Sequence, residues 1–179
     1  MIISGVDIVY HMLRSARGYP LRFAQKDIQI NGWSFEARVY AEDPFKAFGL
    51  PSVGRLKVYR EPENKSIGEV PQDGYIRCDT GITEGSEISL FYDPMICKLI
   101  TVGKDRQHAL NILADALDEY VIRGVTHNIP LLRDIVTEDR CVLFVHTVVY
   151  YCFQVMRVYD VDGQIKFHKG IEDFHGNIV

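Results

Sequence analysis

Apolar and polar positions change rhythm several times along this chain. Over residues 4–17, Val6, Val9, Tyr10, Leu13 and Ala16 recur at helical spacing. Arg14 and Arg17 fall in the last turn, where cations suit the dipole, and Gly18 stands where a helix would stop before Pro20. From 28 to 41 the rhythm becomes strict alternation, with Asn31–Gly32 as a turn signal near its start. Trp33, Phe35, Ala37 and Val39 would line one face of this strand, and Ser34, Glu36, Arg38 and Tyr40 the other.

The stretch "DPFKAFGLPSVGRL" (43–56) holds two prolines and two glycines and reads as a shaped loop leading into a strand at 55–60. Residues 61–73 are polar and read as an exposed loop. Short strands follow at 74–79 and 86–92, then a "YDPM" turn at 92–95 and a strand at 96–102. Residues 105–121 carry the strongest helical pattern. Asp105 can cap it, and Ala109, Ile112, Leu113, Ala116, Leu117 and Tyr120 form the stripe that faces a core. A last helix is predicted at 129–137, with Asn128 as N-cap and Pro130 in the first turn. Helix, strands, helix, helix implies an α+β fold, a mostly antiparallel sheet with flanking helices.

The pattern divides the chain at about residue 140. Residues 141–179 form a divergent tail that opens with "CVLFVHTVVYYC", far short of the ~20 apolar residues that span a bilayer. This run reads either as a buried strand or as a sticky segment if unpaired. A hairpin pattern around Asp162–Gly163 follows it.

Composition then narrows the chemistry. The 179 residues suffice for one domain with a core, and 47% hydrophobic with 25% charged is ordinary for a globular protein. A net charge of −4 offers no basic footprint for nucleic acid, and no membrane partner is expected. Cys78, Cys97, Cys141 and Cys152 show no CxxC spacing and read as reduced, buried thiols. The six histidines are scattered, without a metal-binding motif, so no metal ligand is assigned. No nucleophile elbow and no Walker-type glycine spacing occurs, so nothing here would hold a nucleoside triphosphate unaided. The opening "MIISGVDIVYHML" lacks a basic leader and is not an Arg/Ser-rich transit peptide, which suggests that a further part lies upstream.

Arg38 remains, with Glu36 two residues before it on the same strand face. Two readings stand side by side. One is a cross-strand ion pair or a solvated charge, worth little to stability. The other is a forked, permanent cation aimed at a planar anion or a developing oxyanion. Local sequence does not choose between them.

The stretches "EARVYAEDP", "FGLPSVGRL", "YDPMICKLI" and "YVIRGVTHNIPLL" resemble, in order and spacing, the C-terminal part of the biotin carboxylase component of biotin-dependent carboxylases. "SGVDIV" resembles the helix that links this part to the ATP-grasp domain, and the resemblance covers about residues 1–140. Within the family, "AEDPFKAFGLPSVGRL" together with "RGVTHNI" is most similar to the alpha subunits of propionyl-CoA carboxylases.

The resemblance implies a ligase lobe that contributes to ATP- and bicarbonate-dependent carboxylation of biotin, in which bicarbonate is activated as carboxyphosphate. It places Arg38 at biotin and bicarbonate, as the group that stabilises the oxygen biotin exposes on losing its ureido proton. Phe48 is a candidate apolar contact for biotin's ring system, with loop packing as the other reading. Arg77 matches a region used in subunit contacts by some relatives, or is a plain surface arginine, and Asp93 is most simply a turn residue.

The implied cofactors are biotin on a separate domain, with ATP and magnesium bound elsewhere in the complete enzyme. The implied partners are the ATP-grasp and biotinyl domains, a carboxyltransferase beta subunit and, in some relatives, a second copy. The matching relatives act in the mitochondrial matrix. The chain starts just after the ATP-grasp motif, and its tail departs from the family pattern. It is therefore expected to be inactive alone. The alternative function is a non-catalytic subunit-interaction module, and a misfolding fragment is a third reading.

Overall fold

The computed structural model describes residues 3–43, 51–63, 65–66, 72–137 and 156–159. Three α-helices and nine strands occur among them: α1 (Ile8–Ala16), β1 (Trp33–Tyr40), β2 (Gly54–Arg55), β3 (Val58–Arg60), β4 (Lys65–Ser66), β5 (Tyr75–Thr80), β6 (Glu87–Ile88), β7 (Met95–Gly103), α2 (Arg106–Glu119), β8 (Val121–Arg123), α3 (Ile129–Thr137) and β9 (Met156–Tyr159). The main sheet runs β4-β5-β7-β1-β9 with every pairing antiparallel, and β2-β6 and β3-β8 form two small ribbons. This is the α+β architecture that the pattern predicts.

The centre of the sheet is the β1–β7 pair. Its register sets Phe35 against Thr101, Ala37 against Leu99 and Val39 against Cys97. On β5 the same row continues with Ile76 opposite Thr101 and Cys78 opposite Leu99. Phe35, Ala37, Val39 and Leu99 are fully buried, because α2 and α3 cover this face. Alternation on β1 is therefore borne out, with its odd positions in the core.

Helix α2 presents Ala109, Ile112, Leu113, Ala116 and Leu117 to the sheet, as its spacing predicts. The Asp105 carboxylate caps it, accepting from the His108 N–H at 2.8 Å. The strand feeds into it without a long loop because Gly103 lacks a Cβ; one there would sit 2.5 Å from the Ala109 nitrogen. Thr101, fully buried, donates its hydroxyl to the Ala109 carbonyl at 3.2 Å, so its polar atom is satisfied.

Several expectations need correction. The first helix begins at Ile8, not residue 4, because Asp7 caps it by accepting from the Tyr10 N–H at 2.9 Å. Its end is as predicted. Gly18 is left-handed, with Gly18 N–H bonded to Ser15 O and Tyr19 N–H to Arg14 O. Its apolar stripe, however, is not buried: Val9 is 64% and Leu13 68% exposed. Helical periodicity shows that a face is apolar, not what covers it.

The strand predicted from residue 28 starts only at Trp33, after the Gly32 turn. The single strand at 55–60 divides into β2 and β3, which pair with different partners, and that predicted at 86–92 shrinks to β6. The helix at 105–121 stops at Glu119, and the chain turns extended at Tyr120 to enter β8. The tail segment 141–155 and the hairpin turn at Asp162–Gly163 lie outside the described residues. Among the described residues no helix is long and apolar enough to cross a membrane.

The turn after β8 depends on one glycine. Gly124 has φ +109°, and a Cβ there would collide with the Arg55 carbonyl oxygen and lie 2.9 Å from the Lys57 nitrogen. Both are backbone groups, and the Lys57 N–H is already bonded to the Arg123 carbonyl at 2.8 Å. Gly124→Ala is expected to destabilise the fold by about 2–4 kcal/mol, from left-handed strain plus overpacking. Urea unfolding followed by circular dichroism measures this, and a loss under 0.5 kcal/mol contradicts it.

Candidate active site

The second face of β1 holds Arg38, half-buried, and the elements around it fix its position. One edge of β1 is paired along its length with β7, but β9 covers the other edge only from Ser34 to Ala37. Asn128 takes over where β9 stops. Its Oδ1 accepts from the Tyr40 N–H at 2.9 Å, its Nδ2 donates to the Arg38 carbonyl at 3.1 Å, and its own N–H donates to the Tyr40 carbonyl at 3.1 Å. Asn128 is only 2% exposed, so these bonds replace the missing strand neighbour away from water. The sequence predicts Asn128 as the side-chain cap of α3. Its backbone carbonyl does accept from the Leu132 N–H, but the side chain serves β1 instead.

Opposite Arg38 the β1–β7 ladder is irregular. Val39 pairs with Cys97, but Tyr40 pairs with Met95, so Ile96 is the extra residue of a β-bulge. The bulge returns Met95 to the face that carries Arg38. Arg38 Nη2 then reaches Met95 Sδ at 3.6 Å, and its guanidinium lies 5.2 Å from the centre of the Tyr40 ring. The "YDPM" turn is present as predicted. Asp93 Oδ1 accepts from the Met95 N–H at 2.9 Å and so places the residue that touches Arg38.

The electrostatics of this face point to an anion. Lys98 is the direct cross-strand partner of Arg38, and beyond it on β5 lies Asp79. Like charges directly opposite on a sheet destabilise it. Asp79 is engaged by Arg77 at 2.8 Å. Among the described residues no carboxylate pairs with Arg38, and its buried Nε has no hydrogen-bond partner. An oxyanion beside Arg38 would give this donor an acceptor. A planar oxyanion matches the fork.

Glu42 and Asp93 lie past the end of β1. Burial first, and the facing Asp93 second, push the Glu42 carboxyl above its ordinary range. Of the other expected residues, Phe48 lies outside the described residues. Arg77, half-exposed, is a surface ion-pair partner within this chain. Sequence reasoning missed Lys98 and the role of Asn128. The signal for Lys98 was present, as the lone charge in "MICKLITV", but its juxtaposition with Arg38 needs the register.

The family model for the biotin carboxylase C-terminal domain matches residues 36–148. The chain belongs to the biotin carboxylase C-terminal domain family. It is 62% identical over 138 residues to the mitochondrial propionyl-CoA carboxylase alpha chain of Caenorhabditis elegans and 59% identical over 140 residues to that of Homo sapiens. These alignments cover 77% and 78% of this chain but 18% of each relative. Among solved structures, the biotin carboxylase domain of a thermophilic 2-oxoglutarate carboxylase bound to bicarbonate superposes with a TM-score of 0.69 at 38% identity, covering 78% of this chain and 29% of that one. The chain thus spans about a fifth of the length of the curated relatives it matches. A related biotin carboxylase domain, from Hydrogenobacter thermophilus, is known as a dimer.

Two outcomes follow for this biotin carboxylase lobe. Asn128→Ala leaves the Tyr40 N–H buried without its acceptor and is expected to cost about 1–3 kcal/mol. Chemical denaturation tests this, and an unchanged midpoint contradicts it. Glu42→Gln tests the acid pair. Because the folded state raises the Glu42 pKa, it holds that proton more tightly than the unfolded chain. The ionised carboxylate therefore costs stability at neutral pH, and the cost fades as pH falls toward the ordinary value of 4.5. Glu42→Gln is expected to be the more stable protein at pH 7, with the advantage shrinking in thermal melts at progressively lower pH. An advantage that grows on acidification contradicts the assignment.

Proposed function

We propose that this chain is the C-terminal lobe of the biotin carboxylase of a propionyl-CoA carboxylase alpha subunit, and that Arg38 is its catalytic residue. The observation that carries this reading is the guanidinium itself: rigidly mounted, flanked by Lys98, and with a buried Nε lacking any acceptor among the described residues. A bicarbonate-bound relative of the same fold supports the choice of anion. In the complete enzyme, ATP and magnesium supply the activation of bicarbonate, outside the described residues of this lobe.

The chain's own residues contribute binding and charge. Arg38 holds an anionic oxygen in its fork, and Lys98 adds positive potential beside it. As biotin's ureido group loses its proton, the charge that develops on its oxygen is met by a donor already in place, so no reorganisation is needed. Asn128, Met95 and Tyr40 keep the fork aimed. Phe48 belongs to the same reading as an apolar contact for the biotin ring. The remaining partners are the ATP-grasp and biotinyl domains and a carboxyltransferase beta subunit. The mitochondrial matrix is the compartment, as the names of the animal relatives support. We assign residues 1–140 to the lobe and 141–179 to the divergent tail, of which Met156–Tyr159 pairs with β1 as β9.

A specific feature favours a second reading, that of a subunit-interaction module. Ile8, Val9, Met12 and Leu13 of α1 are all more than half exposed and form an apolar face. Co-purification of the 179-residue chain with a carboxyltransferase beta subunit supports this reading, and a lone monomer counts against it.

The catalytic assignment is tested by Arg38→Ala in a complete carboxylase alpha subunit. Biotin carboxylation is expected to fall about 10²–10³-fold, the usual cost of removing one oxyanion donor. The melting temperature should move little. Arg38→Lys should not restore the rate, because a point charge lacks the planar fork. Unchanged turnover in Arg38→Ala removes Arg38 from the mechanism. The 179-residue chain assayed alone is expected to show no bicarbonate-dependent ATP cleavage.

A further inference from the structure

On the core side of the same sheet, away from Arg38, three potential ligands meet. Glu61 follows β3, Cys78 lies on β5 and Cys97 on β7. One carboxylate oxygen and the two Sγ atoms all lie within 4.8 Å of one another. Both thiols are buried, Cys78 at 8% and Cys97 at 1% exposure, while Glu61 is half-exposed. We propose that Glu61, Cys78 and Cys97 form a binding site for a thiophilic divalent cation, with zinc as the fitting ion.

Zn–S bonds of about 2.3 Å and Zn–O bonds of about 2.0–2.2 Å in a tetrahedron put the ligand atoms roughly 3.5–3.8 Å apart. The observed separations, all within 4.8 Å, are of the order that one ion requires. Two sulfur ligands select zinc over magnesium and calcium. The outer groups suit ligands held in place. The Tyr120 hydroxyl lies 3.1 Å from Cys97 Sγ and 3.5 Å from Cys78 Sγ, and the Tyr59 hydroxyl lies 3.1 Å from Glu61 Oε2. Such hydrogen bonds orient ligands and stabilise thiolate charge.

Tyr59 and Glu61 come from the β3–β8 ribbon, and the thiols from the main sheet. An ion here would join the two sheets, which already share the Tyr59 hydroxyl contact to Thr80 Oγ1 at 3.4 Å. The Cys78 thiol also contacts the Pro62 carbonyl at 3.7 Å. Binding forms two Zn–S bonds and one Zn–O bond and releases two thiol protons to solvent. The half-exposed Glu61 side leaves the fourth position to water. Sequence spacing gave no sign of this site, because its ligands come from three separate segments, two of them strands.

Cobalt(II) reports thiolate ligation directly. Titrated into the reduced 179-residue chain, cobalt is expected to give a sulfur-to-metal charge-transfer band. The band should saturate at one ion per chain and be bleached by one equivalent of zinc. It should persist in Cys141→Ser/Cys152→Ser, which keeps all three proposed ligands. In Cys97→Ser its intensity should halve, and cobalt affinity should fall at least tenfold. Absence of the band in the wild-type chain overturns the site, and so does its loss in Cys141→Ser/Cys152→Ser. Should Cys97→Ser fail to fold, that tail variant still decides. None of these readouts depends on carboxylation, so failure here leaves the role of Arg38 untouched.

Discussion

The antiparallel register between β1 and β7 is the constraint on which the rest depends. It places Phe35, Ala37 and Val39 in one row with Leu99 and Cys97, and α2 and α3 pack against that row. The same register places Arg38 beside Lys98 on the opposite face. A slip of one residue would exchange the two faces, exposing the core row and burying two cations. Hydrophobic burial thus fixes the position of the charges. The fold tolerates a like-charged pair on this face because the core on the other side outweighs its cost.

Two local devices convert this register into a site. The bulge at Ile96 brings Met95 round to touch the guanidinium, and Asn128 completes the strand edge that β9 leaves open. Both act on the backbone at Arg38 or next to it. The site is therefore built on a strand whose edges are paired with β7, β9 and Asn128, while the guanidinium Nε has no partner among the described residues. A rigid mount and an unsatisfied donor are what a preorganised oxyanion site requires.

Consecutive residues of β7 serve different chemistries. Lys98 shares its face with Arg38, and Cys97, on the core side, meets Cys78, Tyr120 and Glu61. Period-two alternation separates them by the thickness of one sheet. The core face is not uniformly apolar as a result. Its thiols and phenols lie where the β3–β8 ribbon meets the main sheet, so the proposed ion would act on the fold and not on the chemistry proposed at Arg38.

Much of this was already legible in the residues. Alternation gave β1 and its buried side, helical spacing gave the core stripe of α2, and Asp105 and Gly18 marked helix ends. These features are local, set by one segment's own periodicity and turn chemistry. Four ordered motifs gave the family. What periodicity could not supply was pairing. The exposure of α1, the division of 55–60 between two ribbons, the transfer of Asn128 from helix cap to strand edge, and the meeting of Glu61 with two distant cysteines all depend on which elements adjoin. Arg38 shows the division most clearly. The sequence determined a cation on the polar face of a strand. Only the tertiary structure set a lysine, rather than a carboxylate, across from it, because cross-strand neighbours are chosen by the register of the whole sheet.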